Sequence, residues 1–233
     1  MFLKFMRFFP KNPNREQIIL RRITKILDFQ RKDEFRILDD GTGRGMIARG
    51  LSNRGTTIGI DQSSEFSKKR SNMENTQFLK AVGEWLPFKP NSFDAIISQM
   101  VLEHVFSVEK YLEEIFRVLE GKGVFYLAFP NRWFPIEPHT HVPIIPYLPH
   151  GLFQKIVNAK IGKNYRLNYL SYKILNVISK IGFKKVRDLV PIFLKNQHQF
   201  YSSTSPFICR VLAKIYGVAR FFIPTWIWLL EKP

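Results

Sequence analysis

The sequence predicts a single α/β domain with a seven-stranded, mostly parallel sheet and helices on both faces. Three observations predict this fold class. An apolar strand pattern runs directly into a glycine-rich turn within residues 35–45, strand and helix patterns then alternate, and seven strand patterns can be counted along the chain. Alternating strands and helices joined by right-handed crossovers form parallel sheets covered on both faces. A chain of 233 residues is long enough to bury one such core.

The predicted elements follow one another in regular order. Apolar residues at helical spacing mark a helix before the first strand. We predict strands at residues 35–40, 56–61, 76–80, 93–98, 122–129, 183–190 and 225–230. Apolar periodicity also predicts helices at residues 108–119, 170–181 and 206–222. Gly121 and Gly182 are the expected stop signals of the first two.

The first turn is the most informative part of the chain. Residues 39–45 read Asp-Asp-Gly-Thr-Gly-Arg-Gly, with a glycine at every second position. Glycines at this spacing allow a sharp turn from strand to helix and a close approach of backbone to a ligand. A dinucleotide-binding fingerprint would need its third glycine at position 46, which is Met46. The turn therefore disfavours a dinucleotide.

An acidic residue follows at the place where a nucleoside would need one. The second strand pattern ends in Asp61, about twenty residues after Gly41. A carboxylate there can accept hydrogen bonds from both ribose hydroxyls. Gln62 is expected to contact the adenine or ribose edge.

Two later segments complete a family pattern. Residues 81–88 read Ala-Val-Gly-Glu-Trp-Leu-Pro-Phe, and residues 91–98 read Asn-Ser-Phe-Asp-Ala-Ile-Ile-Ser. Together with the glycine turn, they resemble the motifs of the class I S-adenosylmethionine (SAM) dependent methyltransferases, in the type 11 subgroup that includes ubiquinone and menaquinone methyltransferases. The resemblance covers residues 35–130. It implies a Rossmann-like fold whose last strand is antiparallel, with SAM as the cofactor.

The resemblance also implies which residues hold the cofactor. They are Asp39, Gly41, Thr42, Gly43, Gly45, Asp61, Gln62, Val82, Gly83, Glu84, Ser98 and Gln99. One position departs from the family, which usually has Asp where this chain has Val82, and that Asp hydrogen-bonds the adenine amino group. We therefore expect the adenine to be held by backbone N–H groups near Gly83 and by apolar walls, with lower affinity for SAM.

The domain organisation follows from the same elements. We predict a basic, helical N-terminal extension at residues 1–33, the SAM-binding core at 34–130 and an acceptor-site loop and helix at 131–170. An insertion at residues 191–224 separates the last two strands and is expected to be a substrate lid or a surface-binding helix. The acceptor loop begins with a stretch dense in proline, which precludes a helix or strand interior. It follows the carboxyl edge of the sheet, where open α/β proteins bind ligands.

Charge is distributed unevenly along the chain. The net charge is +17, with 10 basic and 4 acidic residues in 1–36, 12 and 13 in 37–150, and 14 and 2 in 151–233. Basic flanks rich in aromatic residues suit an anionic membrane surface or, less well here, RNA. Solvated lysines without a partner are the plain alternative.

The expected location is the cytoplasm, peripherally at the inner membrane face. Cys209 is the single cysteine, which fits a reducing compartment. The N-terminus does not read as a signal peptide, because charges interrupt its apolar stretch. No apolar run reaches spanning length.

The catalytic candidates are few. Methyl transfer depends mostly on positioning, and a base is needed only if the acceptor must lose a proton. Candidate bases or acceptor-orienting groups are His104, His139 and His141, and candidate acceptor-site residues are Asn131, Arg132 and Glu137. A packing or capping histidine, and a loop cross-linked by hydrogen bonds, remain the alternatives.

We predict no metal site. Residues 103–104 read Glu-His and resemble the end of the metal-binding Glu-x-x-Glu-His segment of ubiquinone O-methyltransferases. The first glutamate of that segment falls on Met100, which is not a ligand for a hard cation.

Three functions remain open at this point. The leading interpretation is O-methylation of a small, lipid-linked or glycan acceptor. The second is RNA methylation, which only the charge favours. The third is a non-catalytic protein that binds SAM or serves as a basic scaffold.

Overall fold

The protein forms one seven-stranded sheet. The computed structural model describes residues 15–30, 32–63, 75–143, 145–162, 165–168, 170–195, 206–220 and 223–233. Its strands are β1 Phe35–Asp40, β2 Gly55–Asp61, β3 Thr76–Lys80, β4 Phe93–Gln99, β5 Leu119–Pro130, β6 Lys185–Asp188 and β7 Thr225–Glu231. The order across the sheet is β3-β2-β1-β4-β5-β7-β6.

Six strands run in the same direction and β7 runs in the opposite one. β1 pairs in parallel with β2 and with β4, and Asp40 lies opposite Ser98 at the end of that second pair. β7 runs antiparallel to both β5 and β6. The predicted mostly parallel sheet with an antiparallel last strand is confirmed.

Helices cover both faces of the sheet. They are α1 Arg15–Phe29, α2 Met46–Gly50, α3 Val108–Val118, α4 His150–Ile161, α5 Ile174–Ile181, α6 Val190–Lys195, α7 Pro206–Lys214 and α8 Tyr216–Ala219. α3 and α5 pack on one face, in a core that contains Leu38 and Ile96. α1, α6 and α7 pack on the other face, with Ile37 and Ile97. The alternation arises because successive strand residues point to opposite faces.

One predicted stop signal was wrong. α3 ends at Val118, and Leu119 is already extended, with φ −72° and ψ 135°, as the first residue of β5. Leu119 is fully buried and pairs with Phe93 of β4. Burial of this apolar residue in the sheet therefore ends the helix, and Gly121 lies inside the strand.

Three other predicted bounds are shorter in the structure. β6 spans four residues because only Lys185–Asp188 pair with β7 before α6 begins at Val190. The helix predicted at 170–181 begins at Ile174, after a turn. The helix predicted at 206–222 divides into α7 and α8 around Ile215.

The insertion after β6 packs on the sheet. Phe193 of α6 and Cys209 of α7 are buried in the second core, so these helices cover a sheet face. Residues 1–14 of the predicted N-terminal extension lie outside the described residues. Among the helices that the structure describes, none combines the length and apolar character needed to cross a membrane.

Candidate active site

The carboxyl ends of β1, β2 and β4 open into a cavity of about 270 Å³. This is the edge at which open α/β sheets bind their ligands. Seven predicted residues line the cavity, namely Gly41, Asp61, Gln62, Val82, Gly83, Glu84 and His104. We call this space the cofactor cavity.

The turn after β1 can be built only with glycine. Gly41 has φ +70°, and a Cβ atom there would lie 2.3 Å from Cγ2 of Val101. Gly45 has φ +74°, and a Cβ atom would lie 2.7 Å from the Phe78 ring. Both the backbone conformation and the lack of space exclude other residues. The turn consequently lies close against the residues around it.

Carboxylates at the ends of β1 and β2 hold this turn in place. Oδ2 of Asp39 accepts hydrogen bonds from Oγ1 of Thr42 at 2.6 Å and from the backbone N–H of Ala48 at 3.1 Å. Oδ2 of Asp61 accepts from the backbone N–H of Gly43 at 3.0 Å, and Oδ1 accepts from Ser63 at 2.9 Å. A carboxylate offers about four acceptor positions, so Asp61 keeps capacity for a ligand's hydroxyls.

The cofactor cavity is acidic. Asp40, Asp61 and Glu84 line it, and among its lining residues within the described part of the chain none is Lys or Arg. Glu84 is buried and accepts a hydrogen bond at Oε1 from the backbone N–H of Phe106 at 2.6 Å. Such a surface attracts a cationic ligand and repels a pyrophosphate.

A second, smaller cavity adjoins the first. Its volume is about 40 Å³, and Glu103, Asn131, Arg132, Glu137, His139 and Asn168 are among its lining residues. His104 lines the cofactor cavity and His139 lines this one, and their ring centres lie 5.2 Å apart, edge to face. The two histidines therefore stand between the two cavities. We call the smaller space the acceptor cavity.

Glu137 fixes the orientation of His139. Nδ1 of His139 lies 2.7 Å from Oε1 of Glu137, and Oε2 of Glu137 accepts from the backbone N–H groups of His139 and Thr140. Because an ionised carboxylate can only accept, Nδ1 carries the shared proton and Nε2 remains an acceptor. A carboxylate that orients an imidazole in this way is a recurring arrangement in acid–base catalysis.

The pKa values of His104 and His139 are shifted in opposite directions. Burial lowers the pKa of His139, but the hydrogen bond and charge of Glu137 and the charge of Glu103 outweigh it, so the pKa is raised from 6.5. Burial, with the adjacent His139, lowers the pKa of His104 to about 4. The pKa of Glu137 is lowered, since its hydrogen bonds outweigh burial. Of the two histidines, His139 is the stronger base.

The comparison with known proteins agrees with the motifs. Residues 38–127 match a family model described as a methyltransferase domain. This part of the chain is thus similar to the SAM-dependent methyltransferases that the motifs resemble. The family predicted from the motifs is confirmed, and SAM is the cofactor.

Two relatives in sequence differ in how far the match extends. This methyltransferase is 26% identical to a ubiquinone biosynthesis O-methyltransferase of Bartonella tribocorum over 197 residues, which cover 77% of each protein. It is 32% identical to an uncharacterized protein of Methanocaldococcus jannaschii over 139 residues, 58% of this chain and 50% of that relative. The match thus spans only half the length of the second relative.

Solved structures show the same fold. The YcgJ protein from Bacillus subtilis superposes with a TM-score of 0.57 at 18% identity, covering 90% of this chain and 97% of YcgJ. A SAM-dependent methyltransferase from Mesorhizobium loti superposes with a TM-score of 0.60 at 15% identity, covering 89% and 96%. At these identities the likeness concerns the fold alone.

SAM fits the residues of the cofactor cavity. The cofactor carries a sulfonium and an ammonium group, and the cavity presents Asp40, Asp61 and Glu84. Asp61 stands where the ribose hydroxyls are expected, with acceptor capacity left. Val82 and Val101 provide apolar walls, as expected for an adenine without a side-chain acceptor.

The other six predicted cofactor residues do not line the cavity. They are Asp39, Thr42, Gly43, Gly45, Ser98 and Gln99. Asp39, Thr42, Gly43 and Gly45 act within the turn, by the bonds and the close packing given above. Their contacts support the turn, and direct contact with SAM remains a prediction.

Ser98 and Gln99 are engaged inside the sheet. Oγ of Ser98 accepts a hydrogen bond from the Tyr111 hydroxyl at 2.7 Å. Oε1 of Gln99 accepts from the Tyr126 hydroxyl at 3.4 Å. Strand alternation turns these side chains toward helices and neighbouring strands, so the motif position alone did not give their direction.

Several residues of the site were missed from the sequence. Asp40, Trp85, Met100, Val101 and Phe106 also line the cofactor cavity. Asp40 could have been found, because a second acid at the end of a buried strand requires an explanation. The others carry no chemical signature in the sequence.

Two further residues that the sequence analysis missed, Tyr165 and Asn168, contact residues around the two cavities. The Tyr165 ring centre lies 5.6 Å from that of His104 and 6.0 Å from that of His139. Asn168 donates from Nδ2 to the carbonyl of Val105 at 2.6 Å, and its backbone N–H donates to the carbonyl of Glu103. These contacts attach the segment before α5 to the loop after β4.

The three predicted acceptor-site residues line the same cavity but make different contacts. Nδ2 of Asn131 donates to the carbonyl groups of Arg220 and Ile223, and Oδ1 accepts from Trp133, so its amide holds the loop to the segment before β7. The guanidinium of Arg132 lies 5.6 Å from the centre of the Trp133 ring. Asn131, Arg132 and Glu137 all line the acceptor cavity.

His141 is not brought to the site. It is exposed, with φ +57°, and lines neither cavity within the described residues. Its backbone N–H donates to the carbonyl of Glu137 at 2.9 Å in a tight turn. That turn directs His139 and His141 to different places, and of these two histidines only His139 lines one of the cavities among the described residues.

Three metal-ligand side chains do meet near the histidines. One ligand atom each from Glu103, His104 and His139 lie within 4.8 Å of one another. Nδ1 of His139 is hydrogen-bonded to Glu137, and the pKa of His104 is lowered. Both features are also expected when the two histidines bind no metal. The expected absence of a metal remains a prediction.

Proposed function

We propose that this methyltransferase transfers the methyl group of SAM to a hydroxyl oxygen of a small, lipid-linked acceptor. The observation that carries the proposal is the position of His104 and His139 between the cofactor cavity and the acceptor cavity. A hydroxyl must lose its proton as it accepts a methyl group, and a base at this boundary serves that need.

The roles follow from the geometry of the pair. When bound, SAM supplies an activated methyl group. Glu137 holds His139 so that Nε2 can take the acceptor's hydroxyl proton. His104, which is neutral near pH 7 because its pKa is about 4, forms the wall between the two spaces. Positioning of the acceptor oxygen then supplies most of the rate.

The size of the acceptor cavity supports an acceptor with a small reactive end. Only about 40 Å³ is enclosed there. Two large aromatic side chains that line the cofactor cavity are exposed, Trp85 at 64% and Phe106 at 72%. Tyr147, which follows Pro146 of the acceptor cavity, is 47% exposed. Exposed aromatic groups at a site entrance suit an apolar ligand portion outside the cavity. Two relatives support an oxygen acceptor by name, the ubiquinone biosynthesis enzyme and a malonyl-[acyl-carrier protein] O-methyltransferase of Marinomonas.

A lipid-linked acceptor would be met at a membrane surface, and the exposed side chains of the insertion suit that surface. Along α7 and α8, Phe207, Ile215 and Val218 are 68%, 52% and 70% exposed. The exposed Arg210 and Lys214 lie on the same helical segment. Apolar side chains next to basic ones bind the boundary of anionic bilayers. We propose peripheral association through this face, which we call the α7–α8 face.

Acceptor class can be tested directly. The protein is incubated with radiolabelled SAM and a cell extract, and lipid, glycan, RNA and protein fractions are separated. Label in the lipid fraction supports the proposal, and label mainly in RNA or glycan rejects it in favour of those acceptors. His139→Ala, which retains the cofactor cavity, is the matched control and should lose the label.

Membrane association has its own test. Sedimentation with vesicles that contain anionic lipid is compared for the native protein and a Phe207→Ser/Val218→Ser double variant across a salt series. Reduced sedimentation of the variant supports the α7–α8 face. Equal sedimentation rejects it, and a parallel RNA gel shift reports whether the basic charge binds nucleic acid instead.

A further inference from the structure

Asp40 is a buried acid that the motif pattern leaves without a role. It is the last residue of β1, it lines the cofactor cavity, and it is only 3% exposed. Its Oδ2 atom is buried, and within the described part of the chain it has no hydrogen-bond partner. Buried carboxylates are normally paired or hydrogen-bonded, because an isolated buried charge is costly. The described residues therefore offer this atom little that would offset a negative charge.

The groups around Asp40 make its charge less favourable still. Asp39 of β1, Asp61 of β2 and Glu84 of the segment after β3 all contribute negative charge. Tyr111 of α3 acts in the opposite direction, because the interaction with its hydroxyl favours the ionised form of Asp40. The single proton of that hydroxyl is donated to Ser98 of β4. Burial, with these three acids, raises the pKa of Asp40 to about 7.

The cofactor brings the charge that this site lacks. SAM has a sulfonium and an ammonium group, whereas its demethylated product keeps only the ammonium group. A cation close to a buried carboxyl group favours the ionised form. Among the described residues that line the cofactor cavity, none is Lys or Arg, so none of them supplies that cation.

We propose that Asp40 is a proton-linked counter-ion of the cofactor, which releases its proton when cationic SAM enters the cavity. The O–H bond of the carboxylic acid breaks, the proton passes to solvent, and the carboxylate remains beside the positive charge. When that charge leaves, the carboxylate takes up a proton again. Cofactor binding is consequently tighter when Asp40 is ionised than when it is protonated.

The linkage has a defined dependence on pH. Since the carboxyl group is half-ionised near pH 7 in the free protein, full ionisation on binding releases about half a proton per SAM at that pH. The affinity for SAM should fall about fivefold from pH 7 to pH 6 from this group alone, and should change little above pH 8. Binding alone is measured, so the inference can fail while the roles of Glu137 and His139 stand.

Calorimetric titration of SAM in two buffers of different ionisation enthalpy measures the proton release. The expected result for the native protein at pH 7 is release of about half a proton. Asp40→Asn should release less, by that amount, and should lose the fivefold fall in affinity. Asp33→Asn, a matched change at an exposed position outside the cavity, should behave as the native protein does. Equal proton release and equal pH dependence in Asp40→Asn and the native protein would overturn the proposal.

Tyr111→Phe provides a test that keeps the carboxyl group. Removing the hydroxyl removes a contact that favours the ionised form, so the fall in SAM affinity should begin at a higher pH. A fall at the same or a lower pH contradicts the assignment of Asp40 as the titrating group.

Titrations with two further ligands show whether the sulfonium or the ammonium group of SAM causes Asp40 to release its proton. The demethylated product carries only the ammonium group, and 5′-methylthioadenosine carries neither charge. Proton release with SAM alone assigns the sulfonium, and release with both SAM and the product assigns the ammonium group. Equal release with the uncharged nucleoside rejects a counter-ion role.

Discussion

His104 and His139 lie edge to face with ring centres 5.2 Å apart, and their pKa values are shifted in opposite directions. The difference has a physical origin, because Glu137 is hydrogen-bonded to His139 and not to His104. A pair of equal histidines would offer two weak bases, whereas this arrangement leaves one oriented base beside one neutral ring.

The rate of methyl transfer should therefore depend on the ionisation of His139. It must be neutral at Nε2 to accept a proton, so the rate should rise with pH through a pKa above 6.5. Glu137→Gln should lower that pKa, because the charge and hydrogen bond that raise it are weakened. Rates measured from pH 5.5 to 9 check this.

The matched variants separate the two histidines. His139→Ala should lower kcat by about 10²–10⁴ and leave SAM affinity unchanged. His104→Asn should keep the same pH midpoint. A pH midpoint that disappears in His104→Asn and persists in His139→Ala would assign the base to the other ring.

Asp40 should destabilise the protein when no cofactor is bound. Its folded pKa is about 7, above the unfolded value of about 3.9, so the folded state holds the proton more tightly. The stability that this group contributes is fully present below about pH 4 and is lost as pH rises through about 7. Asp40→Asn should consequently be more stable than the native protein at pH 8, by about 2–4 kcal/mol, and the difference should vanish toward pH 4.

Urea unfolding at pH 5 and pH 8, without cofactor, measures that difference. Asp33→Asn serves as the control, since this exposed residue should leave stability unchanged at both pH values. An Asp40→Asn protein that loses stability equally at both pH values shows that the carboxyl group packs as an ordinary polar side chain.

Val82 should limit the affinity for SAM. It lines the cofactor cavity at the position where the family's Asp binds the adenine amino group. Val82→Asp should tighten SAM binding by about 1 kcal/mol, roughly fivefold, through the new hydrogen bond. The inosine analogue of SAM, which lacks the amino group, is the control ligand, and equal tightening for both analogues would exclude the adenine contact.

Chelators should leave the protein unaffected. Glu103, His104 and His139 form a compact group, yet the Glu137 contact fixes Nδ1 of His139 and burial keeps His104 neutral without a metal. Dialysis against a strong chelator should change neither the melting temperature nor the methyl-transfer rate. A loss of activity that zinc or magnesium restores would replace the acid–base account with a metal site.

Much of the fold and of the cofactor edge could be predicted from the sequence. The predicted bounds of β1 and β3 are those of the structure. In the glycine turn, only one residue type fits at positions 41 and 45. Asp61 ends a strand at the edge where its neighbours also end, so its position follows from parallel topology.

The remainder depends on contacts between distant segments. Asn168 donates a hydrogen bond to the carbonyl of Val105, which lies far away in sequence. The Asn131 amide donates to the carbonyls of Arg220 and Ile223. No local sequence pattern indicates these contacts. The difference between His139 and His141 arises from a single tight turn. The directions of the Asp40 and Ser98 side chains, at the ends of their strands, depend on the helix packed against them as well as on the strand. They could therefore not be predicted from the strand pattern alone.

The central claim is that the glycine turn and Asp61 form a site for SAM, and calorimetric titration of SAM tests it most directly. We expect one SAM per chain, no heat with NAD, and weakening by about 1–3 kcal/mol in Asp61→Asn from the loss of charge-assisted hydrogen bonds. No binding of SAM together with a clear signal for NAD would contradict the account.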